Sequence, residues 1–278
     1  MCNKRCPGLD LWEKTARLNS LTPIVLGLKD TRELGHESER FGLKFILLAD
    51  YLRQLNPSEM CLVTDGFDVI FYQCELLERR LIEAIHPSEL LFAADVFENP
   101  DQGGPYKTRQ FRAPYLNSGV YAGRAGVILA VLQQAFRGSE TDTLKLDDQR
   151  YFTQYMFKNP GVIRIDHACE HFACTAGLEY GKDFYVEKSR LTVLSHHPCV
   201  LHFQGFYKDT RIINELFQDK DIQLLGKKLL RRPSPFGKAV GDTLVTIGSY
   251  VPVDKNHRIF SGLILSALLF LLLLKFVL

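Results

Sequence analysis

A mixed α/β fold, mainly parallel in its sheet and flanked by helices, with a membrane-spanning helix at its C-terminal end, is what this chain predicts. Three observations carry that reading. Short apolar runs at 60–63 and 90–94 each lead into aspartate, stretches with apolar residues at helical spacing separate them, and residues 259–274 (IFSGLILSALLFLLLL) hold no charge. Strands that alternate regularly with helices read as βαβ units. With 278 residues, 46% of them hydrophobic, the chain is long and apolar enough to bury a sizeable core.

Taken in order, residues 1–20 are expected to be an N-terminal extension, charged throughout and unlike a secretory leader. The main domain is expected over 21–225. It opens with a short apolar strand, Pro23–Leu28, and a helix from Gly42 that Asn56 and Pro57 close. A buried strand follows at Met60–Val63, then a strand-like piece ending at Phe71 and an amphipathic helix over Glu75–Ile85, stopped before Pro87. Glu89–Asp95 is the next strand. Residues 96–119, rich in Pro and Gly, read as a long functional loop.

Beyond the loop, Gly119–Gly123 is expected as a strand, Ala125–Phe136 as a helix and Lys145–Phe157 as a second helix with acids in its first turn. Strands at Val162–Asp166 and Cys199–Asp209 complete the domain. Residues 226–258 read as a basic linker and 259–278 as a transmembrane anchor, since twenty helical residues span roughly 30 Å. Lys255 and Arg258 precede the apolar run and Lys275 alone follows it, which places the main domain on the cytosolic face. No internal repeat is present.

The net charge of +2 gives no concentrated basic face, so no nucleic-acid partner is expected. Lys227, Lys228, Arg231 and Arg232 form only a short solvated or membrane-facing run. Seven cysteines lack the spacing of a zinc ribbon and the density of a secreted scaffold, and read as mostly reduced thiols.

The chemistry-bearing stretch is LVTDGFDVIF at 62–71, where Asp65 and Asp68 follow an apolar run. Aspartate and glycine are ordinary turn residues, Asp147 and Asp148 suit the first turn of a helix, and a histidine such as His202 often sits hydrogen-bonded in a core. Yet strands ending at Asp65, Asp95 and His202 in one sheet would bring acids and imidazole to a single rim, where open α/β sheets bind ligands. Two carboxylates and one imidazole suit Mn²⁺ or Mg²⁺ better than structural zinc. Such an ion is a natural partner for a nucleotide diphosphate, and neither a GxxxxGKS/T loop nor GxGxxG is present to hold phosphates another way. Lys44 and Lys208 are the basic candidates. A phosphohydrolase or nucleotidyltransferase could use the same acids, and a non-catalytic membrane-bound binding protein could inherit them.

The ordered motifs DGFDVI, LLFAAD, YLNSG with YAG, LDDQ with YFT, IDH and HFQG resemble the glycosyltransferase domain of procollagen lysyl hydroxylases and collagen galactosyltransferases, over about Pro23 to Lys208. That resemblance implies a GT-A, Rossmann-like fold and a UDP-hexose donor, glucose or galactose, bound with Mn²⁺. It implies that Asp65, Asp68 and His202 are the metal ligands, that Phe67 stacks on uracil, and that Lys44 approaches the diphosphate. It also implies that Asn117, Ser118 and Gly119 face the sugar, with Gly205 and Lys208 at the donor. Asp147 and Asp148 would lie near donor and acceptor, one of them orienting the acceptor hydroxyl or taking its proton, with Asp166 as a further candidate. Hydroxylysine or another side-chain hydroxyl would be the acceptor. The acidic run is shorter here than in the family, and FQGFYK follows the histidine in place of the family's Asn and Pro-containing turn.

Overall fold

The computed structural model describes residues 5–28, 39–98, 104–106, 110–136, 140–204 and 211–229. Gly205, Lys208, most of the expected linker and the expected anchor lie outside these residues. Among the described residues no helix is long and apolar enough to cross a membrane.

The first helix, α1 (Pro7–Leu18), falls where the sequence suggested only an extension. Pro7 sits in its first turn, where a missing amide hydrogen costs nothing, and Leu9, Trp12 and Ala16 bury one face. The Trp12 indole donates to the Thr64 hydroxyl at 2.8 Å, and the Asn19 amide donates to the Phe71 carbonyl at 3.0 Å, so the helix is tied to the strands that follow. Residues 21–26 run on without joining a sheet, unlike the strand expected at Pro23–Leu28. Pro23 has no amide donor for a ladder, and an apolar slot of about 280 Å³ lies between this segment and the next strand.

Next come α2 (Glu39–Leu52), β1 (Met60–Thr64), β2 (Val69–Phe71), α3 (Leu77–Ala84), β3 (Leu90–Asp95) and β4 (Tyr115–Arg124). They are followed by α4 (Ala125–Ala135), α5 (Glu140–Leu144), α6 (Asp148–Lys158) and β5 (Ile163–Asp166). The described chain closes with β6 (Phe172–Cys174), the hairpin β7 (Phe184–Glu187) and β8 (Arg190–Val193), β9 (Val200–His202), α7 (Arg211–Leu216) and α8 (Lys220–Leu229). Two expected boundaries shift. The LNSG residues belong to strand β4 rather than to the loop before it, and of the strand expected over Cys199–Asp209 the described residues, which end at 204, hold β9.

The main sheet has the order β1-β4-β3-β5, and a second sheet has the order β2-β9-β6. The expectation of a mainly parallel sheet does not hold. Among the described strands, β3 with β5 and β6 with β9 pair in parallel, whereas β1–β4, β3–β4, β2–β9 and β7–β8 pair antiparallel. The cause is strand order. β1, β3 and β5 run in one direction, and β4 inserts between β1 and β3 in the other, which alternation of strands and helices along a chain cannot reveal.

Side chains alternate across the main sheet as a period-2 strand requires. Leu91, Ala93, Val120 and Ala122 face α1 and α3, while Leu90, Phe92, Ala94 and Tyr121 face α2, α4 and α6. At ~25 cal/mol per Å² such burial is the main favourable term holding the layers together. A third apolar cluster, including Leu11, Ile70, Phe184, Leu201, Ile213 and Ile222, joins the smaller sheets to α7 and α8.

Candidate active site

Strand β1 ends in the main sheet and β2 begins in the second one, so residues 65–68 bridge the two sheets. Both carboxylates of DGFD therefore sit at the seam. The Asp65 amide donates to the Gly119 carbonyl at 2.7 Å, which continues the β1–β4 pairing past Thr64. On the other side, the Phe203 amide donates to the Asp68 carbonyl at 2.8 Å, and Val69 pairs with His202. Asp65 and His202 thus converge from different sheets, and not from one sheet as the sequence suggested. Asp95 does end β3 on the same rim as Asp65.

One ligand atom each from Asp65, Asp68 and His202 lies within 4.8 Å of the others. The His202 Nε2 is 3.4 Å from Asp68 Oδ1 and 3.8 Å from Asp65 Oδ2. Asp68 and His202 are buried, and Asp65 is half-buried. Two carboxylate oxygens and one imidazole nitrogen in a pocket partly shielded from water are the donor set of an octahedral Mn²⁺ or Mg²⁺ that keeps positions for other oxygens. The residues present fit such an ion.

A break in strand β4 makes room for the imidazole. Pairing with β3 jumps from Phe92 opposite Tyr121 to Ala93 opposite Asn117, so Ser118, Gly119 and Val120 form a bulge. A Cβ on Gly119 would lie 2.2 Å from His202 Cε1, so only a glycine lets the ring approach this backbone. The Asn117 side chain reaches His202 Nδ1 at 3.0 Å and donates to Asp95 Oδ2 at 2.9 Å. Gln204 also donates to Asp95 Oδ2, at 3.1 Å, and the Phe97 amide donates to Asp95 Oδ1 at 3.0 Å. Asp95 was expected on this rim without a role of its own, and Gln204, near the histidine in HFQG, was not singled out.

Lys44, from α2, lies between two of the acids. Its Nζ donates to Asp65 Oδ1 at 2.7 Å and to Asp148 Oδ2 at 3.0 Å. Burial works against its charge, but the fields of Asp148 and Asp65 outweigh that and hold its pKa well above that of an ordinary lysine. Lys44 was expected to approach a diphosphate; here it clamps a metal-site acid to the first turn of α6. Asp148 is buried, and its neighbour Asp147 caps α6 by accepting from the Arg150 amide at 2.8 Å. Ser118 donates from its amide to Gln149 Oε1 at 3.2 Å, a contact that the sequence reading missed although Gln149 follows directly in LDDQ.

Two expected residues make their visible contacts within the fold. Asp166 accepts the amides of Glu170, His171 and Phe172 at 3.0, 2.8 and 3.0 Å, so it organises the turn after β5 and both its oxygens are used. Phe67 packs against the core cluster that includes Leu9 and Trp12, with Gly8 of α1 pressed onto its backbone; a Cβ there would meet the Phe67 carbonyl oxygen at 2.1 Å.

Among known families, the model described as the PLOD GT domain matches residues 2–217. The chain belongs to this glycosyltransferase family. The match includes α1, in accord with that helix being part of the domain core. Among solved structures, the PLOD-type domain is similar to a glycosyltransferase involved in the glycosylation of the major capsid of PBCV-1. The two share 8% identity at a TM-score of 0.43, over 80% of this chain and 91% of that one. It is also similar to the galactosyltransferase LgtC in complex with donor and acceptor sugar analogues, with 14% identity, a TM-score of 0.36 and 70% of each chain covered. No curated protein matches this PLOD-type chain.

Proposed function

We propose that this protein transfers a hexose, glucose or galactose, from a UDP-sugar to an acceptor hydroxyl in a reaction that depends on Mn²⁺ or Mg²⁺. The observation that carries the reading is the convergence of Asp65, Asp68 and His202 within 4.8 Å in a chain of the PLOD glycosyltransferase family. Those three residues would hold the ion. When bound, it offsets the negative charge that develops on a departing diphosphate.

The chain's own residues do the rest. Lys44 keeps Asp65 and Asp148 from repelling each other, and so keeps the first turn of α6 against the metal site. Because Asp148 is engaged with Lys44, Asp147, whose Oδ1 caps the helix, is the acid best suited to orient an incoming hydroxyl through its second oxygen. Hydroxylysine is the acceptor that the family suggests. Phe67 on the uracil and Ser118 and Gly119 beside the sugar belong to the same reading, as do Gly205 and Lys208 at the diphosphate.

The test is UDP release by the full chain from a panel of UDP-sugars, with Mn²⁺, with EDTA and with Asp68→Ala. Release from one donor that needs the metal and is lost in the variant supports the reading. Release of nucleoside monophosphate or phosphate instead, or no turnover and no metal-linked UDP binding, overturns it. We also propose that residues 259–278 anchor the protein, with the enzyme domain facing the cytosol; sixteen consecutive uncharged residues support this. Retention in the membrane pellet at alkaline pH, with the N-terminal domain open to protease in sealed vesicles, is the expected result; protection of that domain would reverse the orientation.

A further inference from the structure

Asn117 was expected to face the sugar, and both ends of its side-chain amide have partners within the protein. Its Oδ1 accepts from the Gly119 amide at 2.9 Å, and its Nδ2 donates to Asp95 Oδ2 at 2.9 Å. Both of those partners have fixed polarity: a main-chain N–H can only donate, and a carboxylate already receiving the Phe97 amide and the Gln204 amide acts as an acceptor. They therefore settle which end of the Asn117 amide is oxygen, a choice that heavy-atom positions alone do not make. The same Oδ1 lies 3.0 Å from His202 Nδ1. The Cys174 sulfur also faces Nδ1, but at 3.8 Å and as a weak donor it is outweighed by the oxygen at 3.0 Å, which cannot donate, so Nδ1 carries the hydrogen. Nε2, which faces Asp65 and Asp68, is then the nitrogen whose lone pair is directed to a cation.

We infer that Asn117 is the positioning residue of the metal site: with Asp95 behind it, it sets the tautomer and ring orientation of His202 and so makes Nε2 the ligand atom. The inference rests on the metal-site reading above. Second partners of this kind are worth 10–100-fold in metal affinity where they have been removed from other proteins. Three features act on one ring. Asn117 fixes which nitrogen is bare, the bulge at Ser118–Val120 brings Asn117 and Gly119 to it, and the bare Cα of Gly119 lets it lie close. Asn117, buried and 85 residues from His202 in sequence, acts through the histidine and not on the substrate.

The experiment has two arms on the full chain in detergent. In the first, ¹⁵N-histidine spectra of metal-free protein are assigned for His202 by difference from His202→Gln. The parent is expected to show a hydrogen on Nδ1, and Asn117→Ala is expected to move the neutral ring toward the Nε2–H form. A parent ring without a hydrogen on Nδ1 overturns the inference, whether or not the protein transfers sugar. In the second arm, Mn²⁺ affinity is measured by calorimetry without any nucleotide. Asn117→Ala should lose roughly 10–100-fold. The exchange Asn117→Asp with Asp95→Asn keeps an acceptor for Nδ1 and a donor between the two side chains once the Gln204 amide turns its oxygen toward position 95, and should recover to within about threefold of the parent. Parent-like affinity in Asn117→Ala, or no recovery in a double variant that folds, overturns the inference. If Asn117→Ala does not fold, the parent spectrum and the exchange variant still decide. If the parent binds no Mn²⁺ while its His202 carries the Nδ1 hydrogen, the metal reading fails and the tautomer assignment stands.

Discussion

Two places in this protein carry the same local sequence signal, an apolar strand running into aspartate, and the fold treats them in opposite ways. After β5, Asp166 is met by three main-chain amides from the next few residues, which satisfy both of its oxygens. At the seam of the sheets, Asp65 and Asp68 are met by Lys44 and His202, brought in from other parts of the chain. Amides within one turn make a carboxylate a structural clasp. An imidazole and a lysine arriving from elsewhere leave oxygens that an ion can share. The difference lies in which donors reach each acid.

Breaking the two regions separately should separate stability from binding. Asp166→Ala leaves three amide donors to find new partners in a buried turn, and is expected to lower stability by about 3 kcal/mol. Thermal melting should show that loss while Mn²⁺ affinity in the remaining folded protein is unchanged; a melting point like the parent's, or a collapse in metal affinity, would erase the contrast with Asp68.

Lys44→Met tests the cation at the seam. Removing it leaves Asp65 and Asp148 facing each other without a countercharge in a partly buried site, at an expected cost of about 2 kcal/mol. Because an added divalent ion would supply some of the lost charge, Mn²⁺ should raise the melting point of Lys44→Met more than that of the parent. Equal shifts would mean that Lys44 and the ion do not share Asp65.

The smallest effect concerns acid. Burial pushes the His171 pKa down, more than the attraction of nearby Asp166 and Glu170 raises it, with Arg80 and Arg164 adding to the depression. The unfolded chain, with an ordinary histidine pKa of about 6.5, then takes up a proton first. Stability is fully present above that pH and declines as the pH falls below it. The difference in melting point between pH 7.5 and 5.5 should shrink in His171→Gln; an unchanged difference would assign the acid sensitivity to other groups.

Much of the site is legible in the amino-acid sequence, because its parts follow short-range rules. DGFD after an apolar run, LNSG, LDDQ and a strand-ending histidine are local patterns, and their order along the chain resembles one family. The helix starting near Gly42 and the strand ending at Asp95 are equally plain from periodicity. The strand assigned to Pro23–Leu28 fails because an apolar run says nothing about whether a partner edge is near enough to pair. α1 escapes notice because Asp10, Glu13, Lys14 and Arg17, none of them buried, break the apolar run along the chain, although Leu9, Trp12 and Ala16 keep helical spacing. Asn117 is recognisable as a site residue, but nothing in its local sequence shows that its side chain meets His202.

The amino-acid sequence by itself determined that strands end in acids, which helices have an apolar face, and which carboxylates and histidine were candidates for an ion. Those properties depend on residues within a few positions of each other. Only the tertiary structure decided that β4 runs between β1 and β3, that Asp166 serves a turn and that Lys44 clamps Asp65 to Asp148. It alone placed the Asn117 oxygen on His202 Nδ1. Each of these is a matter of which donor meets which acceptor across the fold, and a polar group's role is fixed by the partner that replaces water around it.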